Sequence, residues 1–284
     1  QCEENVSQSL PSLSLGISPC PNDTHIFHAL LHGRVPFSVP VRAHMADVEE
    51  LNQMARRQVL DATKISLGAV ADIMDAYALL SSGAALGWGC GPLLVARKNA
   101  RPASWKTAAV AVPGRMTTAV LLLTLHGEFQ GPRTEMLFSS VMPAVARGEA
   151  DLGLVIHEGR FTFEKLGLVK VLDLGQWWES AYALPLPLGA IAVRRDLREE
   201  TALDLQKAIA DSLAYARAHP LESRDFVRAH AQEMDDAITS EHIRTFVTEY
   251  SLDLQEAGRS AIEVLVSEAA RLAGRDLSAK SLFL

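Results

Sequence analysis

Apolar and polar positions fall into blocks that switch between a two-residue and a 3.6-residue period. Residues 13–18 (LSLGIS) read as an opening strand, followed by a turn with two prolines at 18–24, SPCPNDT. Asn22, Asp23 and Thr24 are strong N-cap types, so a helix is predicted from there through Leu31, stopping at Gly33. Residues 39–44 are extended, Asp47 starts a helix through Arg57, 61–65 form a strand, and Ser66 caps a helix over LGAVADIMD. A strand at 77–80 leads into the glycine-rich SSGAALGWGCG, then comes a strand at 91–97 and a linker at 99–106. The pattern restarts with a strand at 107–112, a turn at Pro113-Gly114-Arg115 and a helix at 117–126. A strand at 134–138 and a helix at 142–147 follow. Residues 152–156 are an apolar run of the length of a buried strand, and further strands fall at 168–172 and 188–194. From Glu199 onward nearly everything is helix with apolar residues at 3.6-residue spacing.

Strand–helix alternation predicts an α/β protein with mainly parallel sheets flanked by helices. The composition break near Asn99 and the apolar strand around Ile191 suggest that the chain crosses twice between two lobes. Residues 1–97 with 190–284 then make a larger, discontinuous lobe and 98–189 a smaller one, with a ligand cleft between them. The alternative is one continuous doubly wound sheet. There is no internal repeat or coiled-coil heptad, and nothing in the pattern fixes an oligomeric state.

Charge narrows the partners. A net charge of −7 argues against nucleic acid, whose phosphates need a basic face. No apolar run approaches the ~18 residues of a membrane span. Cys2, Cys20 and Cys90 are neither a disulfide framework nor a zinc pattern, which fits a reducing cytoplasm. The polar opening segment QCEENVSQSLPS lacks the apolar centre of a signal peptide.

In an open α/β sheet, ligands bind beyond the carboxyl ends of strands. Four loops fall there: 18–23, 62–66, 113–118 and 157–160. His157 and Glu158 end an apolar strand that gains nothing from ionisable groups, and a histidine there can meet a substrate and titrate near neutrality. The same ring could instead be tied into a loop hydrogen bond. Thr117 and Thr118 open a helix after a glycine turn, where the free N–H groups of Thr118 and Ala119 could hold an anion; simple capping also explains the threonines. Lys64 could pair with an acidic substrate or lay its stem over apolar surface. His25, His28 and His32 share a helical face, but no HExxH pattern or nearby carboxylate completes a metal site, so a solvated face is expected and no metal. Cys20 lies near the cleft mouth without an evident base, which favours packing. Trp177-Trp178 is expected to cover a core edge.

Together SPCPNDTHIFHAL (18–30), DATKIS (61–66), ALGWGCGPLLVA (85–96), VPGRMTTA (112–119), VIHEGRFTF (155–163) and LPLPLGAI (184–191) resemble the signatures of the 1,4-dihydroxy-6-naphthoate synthase family of the futalosine route to menaquinone. The resemblance runs from about Leu13 to the C-terminus in matching order. It implies a two-lobed fold like that of type II periplasmic binding proteins, used for catalysis without metal or organic cofactor. It implies a small aromatic carboxylate substrate, cyclic dehypoxanthinyl futalosine, cleaved to 1,4-dihydroxy-6-naphthoate and dihydroxyacetone. The family's proton-accepting histidine falls on His157, and its substrate-contact segments on Thr63, Lys64 and Ile65 and on Thr118 and Ala119. Ser66 and Thr117 add neighbouring hydroxyls. His25 departs from the aromatic usual there. Rival readings are the sister enzyme chorismate dehydratase, which lacks the SPCPND and IHE-x-RFT pairing, and a solute-binding protein for a small carboxylate.

Overall fold

The structure, a computed structural model, describes residues 12–232, 235–277 and 280–284. Cys2 and the polar opening up to Pro11 lie outside the described residues. The first sheet contains β1 (Leu13–Ile17), β2 (Val41–Met45), β3 (Ala62–Ser66), β4 (Tyr77–Leu79), β5 (Ala85–Gly87) and the long β11 (Leu186–Arg194). The second holds β6 (Leu93–Arg97), β7 (Val110–Val112), β8 (Arg133–Glu135), β9 (Leu152–Val155) and β10 (Leu168–Asp173). Their orders are β2-β1-β3-β11-β4, with β5 also on β11, and β10-β6-β9-β7-β8.

Each lobe has the expected parallel core: β1 with β2 and β3, and β7 with β8 and β9. The strands next to the two crossings run antiparallel to these cores. β11 returns against β3, β4 and β5, and β6 pairs antiparallel with β9 and β10, so both sheets are mixed. β6, expected in the first lobe, pairs with β9 and so lies in the second sheet. β5 lies inside the glycine-rich stretch, where the small residues hid its apolar alternation.

Local chemistry accounts for the other departures. The first helix, Pro21–Leu31, starts at the proline with Cys20 as its N-cap, because Pro needs no N–H partner at the first helical position. Asp23, expected as a cap, instead reaches back from the third helical position to accept from Ser18 N and Oγ at 3.1 and 2.7 Å. Ser66 makes no side-chain cap; its Oγ accepts from Asn52 Nδ2, and a single 3-10 turn, Leu67–Ala69, precedes a four-residue helix. Thr107 closes a 3-10 turn, so β7 begins only at Val110. The strand expected at 134–138 stops at Glu135, and the next helix, Phe138–Arg147, begins four residues early. His25 and His28 are buried rather than solvated: the helices Glu199–Ala218 and Arg224–His230 cover them, with His25 Nδ1 2.9 Å from Ser223 Oγ.

Ile26, Phe27 and Leu30 pack with Leu205, Ile209 and Leu213 on one face of the first sheet. Val141 and Val145 pack on Val95 and Ala111 of the second. A third cluster, with Ile65, Leu94, Leu122, Trp178 and Leu265, runs continuously between the lobes. No helix among the described residues is long and apolar enough to cross a membrane.

One ionic contact is embedded in this core. Lys64 Nζ stands 2.8 Å from Asp23 Oδ1, and their side chains are 6% and 0% exposed. Removing one member of such a pair leaves an uncompensated buried charge. Lys64→Met is expected to lower unfolding free energy in urea by about 3–5 kcal/mol, and Asp23→Asn added to it should recover part of the loss. Trp178 is fully covered, donates to Pro185 O at 3.1 Å and stacks on Tyr182. Trp178→Ala should cost about 3–5 kcal/mol in the same titration.

Candidate active site

The loops beyond β1, β3, β7 and β9 converge on a cleft between the lobes, with about 690 Å³ of empty space, its open mouth included. Lys64, Ile65, Ser66, Thr117, Thr118, Ala119 and His157 line it together. Thr63 does not. Thr63 is fully buried, with its Oγ1 packed beside Gly16 of β1.

His157 lies two residues past β9 with φ at 54°, a left-handed conformation rare outside glycine and concentrated at functional sites. Its Nδ1 is 3.6 Å from Cys20 Sγ. One edge of the ring meets Phe138 at 4.8 Å between centroids, and a parallel ring, His242, lies 6.1 Å away. Nε2 is covered and has no hydrogen-bond partner. Burial pushes the imidazole pKa down to about 4, with Asp23 opposing and Lys64 adding to the shift. The ring is therefore neutral at physiological pH and can take a proton.

The other polar groups are largely committed. Lys64 donates to Asp23 and, at 3.3 Å, to Gly83 O, so its charge is already matched and one ammonium hydrogen remains. Thr117 is the N-cap of the helix Thr118–His126: its Oγ1 accepts from Val120 N and donates to Gly114 O. Thr118 Oγ1 donates to Leu188 O at 2.5 Å and accepts from Gly68 N at 3.1 Å, joining this helix to the first lobe. With both hydroxyls engaged, the helix start leaves the backbone N–H groups of Thr118 and Ala119, which precede the first intrahelical donor, Leu121 N. Glu49 ties the same loop to the first lobe by accepting from Met116 N at 3.0 Å, and burial pushes its carboxyl pKa up.

Glu158 Oε2 lies 3.8 Å from Nδ1 of His242, the ring parallel to His157. Trp177 and Trp178 are not part of the cleft wall. Among the described residues no group of three His, Cys, Asp or Glu side chains could hold a metal ion.

Four neighbours of the site were not among the candidates: Asn22, Phe138, Arg160 and His242. Asn22 Nδ2 donates to Asp23 Oδ1, which orients its Oδ1 to accept from His242 Nε2 at 3.0 Å. Arg160 lines the cleft, donates to Gly91 O and stands 3.5 Å from Asp173. Both lie inside SPCPND and IHEGRFT, so their polar character within those motifs was the available signal. His242, 220 positions from Asn22, sits in the helical tail with no motif around it.

Comparison with known proteins bears on what this cleft serves. A family model described as menaquinone biosynthesis matches residues 13–271. A 1,4-dihydroxy-6-naphthoate synthase of Thermus thermophilus is 49% identical over 260 residues, covering 92% of this chain and 94% of that one. The enzyme of the same name from Streptomyces coelicolor is 43% identical, with the same coverage. A crystal structure of an Archaeoglobus fulgidus protein superposes with a TM-score of 0.86 at 35% identity, covering 93% of this chain and 98% of that one. The periplasmic aliphatic sulphonate binding protein of Escherichia coli shares the fold at a TM-score of 0.64 and 10% identity, covering 97% and 96% of the two chains. The two-lobed fold is thus that of periplasmic binding proteins, and the chain belongs to the menaquinone-biosynthesis family of 1,4-dihydroxy-6-naphthoate synthases.

Proposed function

We propose that this enzyme converts cyclic dehypoxanthinyl futalosine to 1,4-dihydroxy-6-naphthoate with release of dihydroxyacetone, and that His157 is the proton acceptor. The observation that carries the reading is the neutral His157 ring lining the same cleft as the helix start at Thr118, its Nε2 without a partner. Cleaving a carbon–carbon bond next to a carbonyl requires a base to take a hydroxyl proton and donors to hold the negative charge that develops. His157 takes the proton. The N–H groups of Thr118 and Ala119 hold the carboxylate or the developing oxyanion. Lys64, Ile65 and Ser66 form the facing wall from β3, and Thr117 holds the turn before the helix; Thr63 acts only by supporting β3. The lobe division, with the first sheet in a discontinuous lobe and the second in an inserted one, makes the cleft an interlobe site from which closure excludes water. A cytoplasmic location belongs to the same reading, and the free thiols of Cys20 and Cys90 support it.

Incubation with cyclic dehypoxanthinyl futalosine, followed by mass spectrometry, should yield the naphthoate and dihydroxyacetone in equal amounts. His157→Asn should keep the wild-type circular dichroism spectrum and cut turnover at least about a hundredfold; wild-type turnover in that variant removes the assignment. Because the neutral ring is the active form, kcat/KM should fall on acidification, with its half-point near pH 4 rather than near the ordinary 6.5. The same sign governs stability. His25 and His157, both pushed down to about 4 by burial, favour the fold fully above pH 6.5. Their contribution drains away between pH 6.5 and 4, so the thermal midpoint should decline over that window, and less steeply in His157→Asn.

A further inference from the structure

Cys20 is a buried thiol that the proposed chemistry leaves without a task. It belongs to the first lobe, as the residue before the helix Pro21–Leu31, whereas His157 follows β9 in the second. The 3.6 Å approach of Sγ to Nδ1 therefore spans the cleft. We propose that Cys20 is a positioning residue for His157: its sulfur accepts the Nδ1–H of the ring, and this contact, made when the lobes are together, fixes the tautomer whose bare Nε2 receives the substrate proton. The inference rests on the reading of His157 as the base.

Three observations converge on it. A neutral imidazole has one N–H and one lone pair, and the partner of one nitrogen decides the state of the other. Nε2 is covered and has no partner, so a hydrogen there would be an orphaned buried donor, whereas a lone pair is a waiting acceptor. The ring plane is already set by Phe138 at its edge and His242 parallel to it, which leaves Nδ1 as the atom that still needs an anchor. Finally, burial and the carboxylates of Glu158, Asp23 and Asp47 push the Cys20 thiol well above its ordinary value, while the hydroxyl of Ser18 opposes them. Cys20 therefore stays an S–H group. As a thiol it is a weak neutral acceptor for Nδ1–H.

The test reads the tautomer directly. Histidine-selective 15N labelling of the full chain, with His157 assigned by its absence from His157→Asn, should give a protonated-type Nδ1 and a bare-type Nε2 at neutral pH. Cys20→Ala should shift His157 toward the Nε2–H form or a mixture, and lower kcat about ten- to a hundredfold with KM within about twofold. Cys20→Ser, whose oxygen can accept the same hydrogen, should restore most of both. An Nε2–H ring in the wild-type protein overturns the proposal without recourse to any variant. So does a Cys20→Ala enzyme with the wild-type tautomer and wild-type kcat. Full turnover by His157→Asn would instead remove the base assignment, whichever tautomer the spectra report, so the two failures are distinguishable.

Discussion

The arrangement of the cleft depends on one buried charge pair, Asp23 with Lys64. Both charges are almost fully covered, so each has to be satisfied inside the protein, and Asp23 meets that demand with both oxygens. Oδ2 holds Ser18, and Oδ1 holds Lys64 and Asn22. These bonds pin the turn after β1 to the end of β3 and fix three consecutive functions of one short segment. Cys20 is turned to His157, Asn22 to His242 and Asp23 to Lys64. The segment reads as an ordinary proline turn, yet it sets the electrostatics on one side of the cleft.

The pair also changes how Lys64 is understood. In sequence it is a lone cation among apolar neighbours, and an acidic substrate is its natural partner. In the fold that partner is internal. What β3 brings to the cleft is then a neutral ion pair with one hydrogen to give, beside a histidine that burial keeps uncharged. A low-polarity cleft of this kind strengthens the few donors that face it.

Sequence legibility followed interaction range. Most strands, the cap at Thr117 and the position of His157 at a strand end were readable because alternation, capping and chain punctuation act over a few residues. Thr63 came in with a contact segment taken whole; in the fold it is buried beside Gly16 and is not among the residues of the cleft wall. The side of the sheet to which β6 belongs was not readable, since its apolar run suits either ladder and only pairing with β9 decides. His242 and Phe138 escaped for the same reason. An amphipathic helix declares which face is buried, not what that face meets, and both reach His157 from distant parts of the chain. His25 and His28 looked like a polar face because their cover comes from the helical tail.

Thr118 Oγ1 with Leu188 O and Gly68 N, and Glu49 with Met116 N, join the lobes through short side chains and backbone atoms that have little slack. Such bonds are lost together when the lobes part, and each contributes only about 0.5–1.5 kcal/mol once water replaces the partner. Any parting of the lobes therefore has to break contacts made by Glu49 and Gly68, two residues that do not themselves line the cleft.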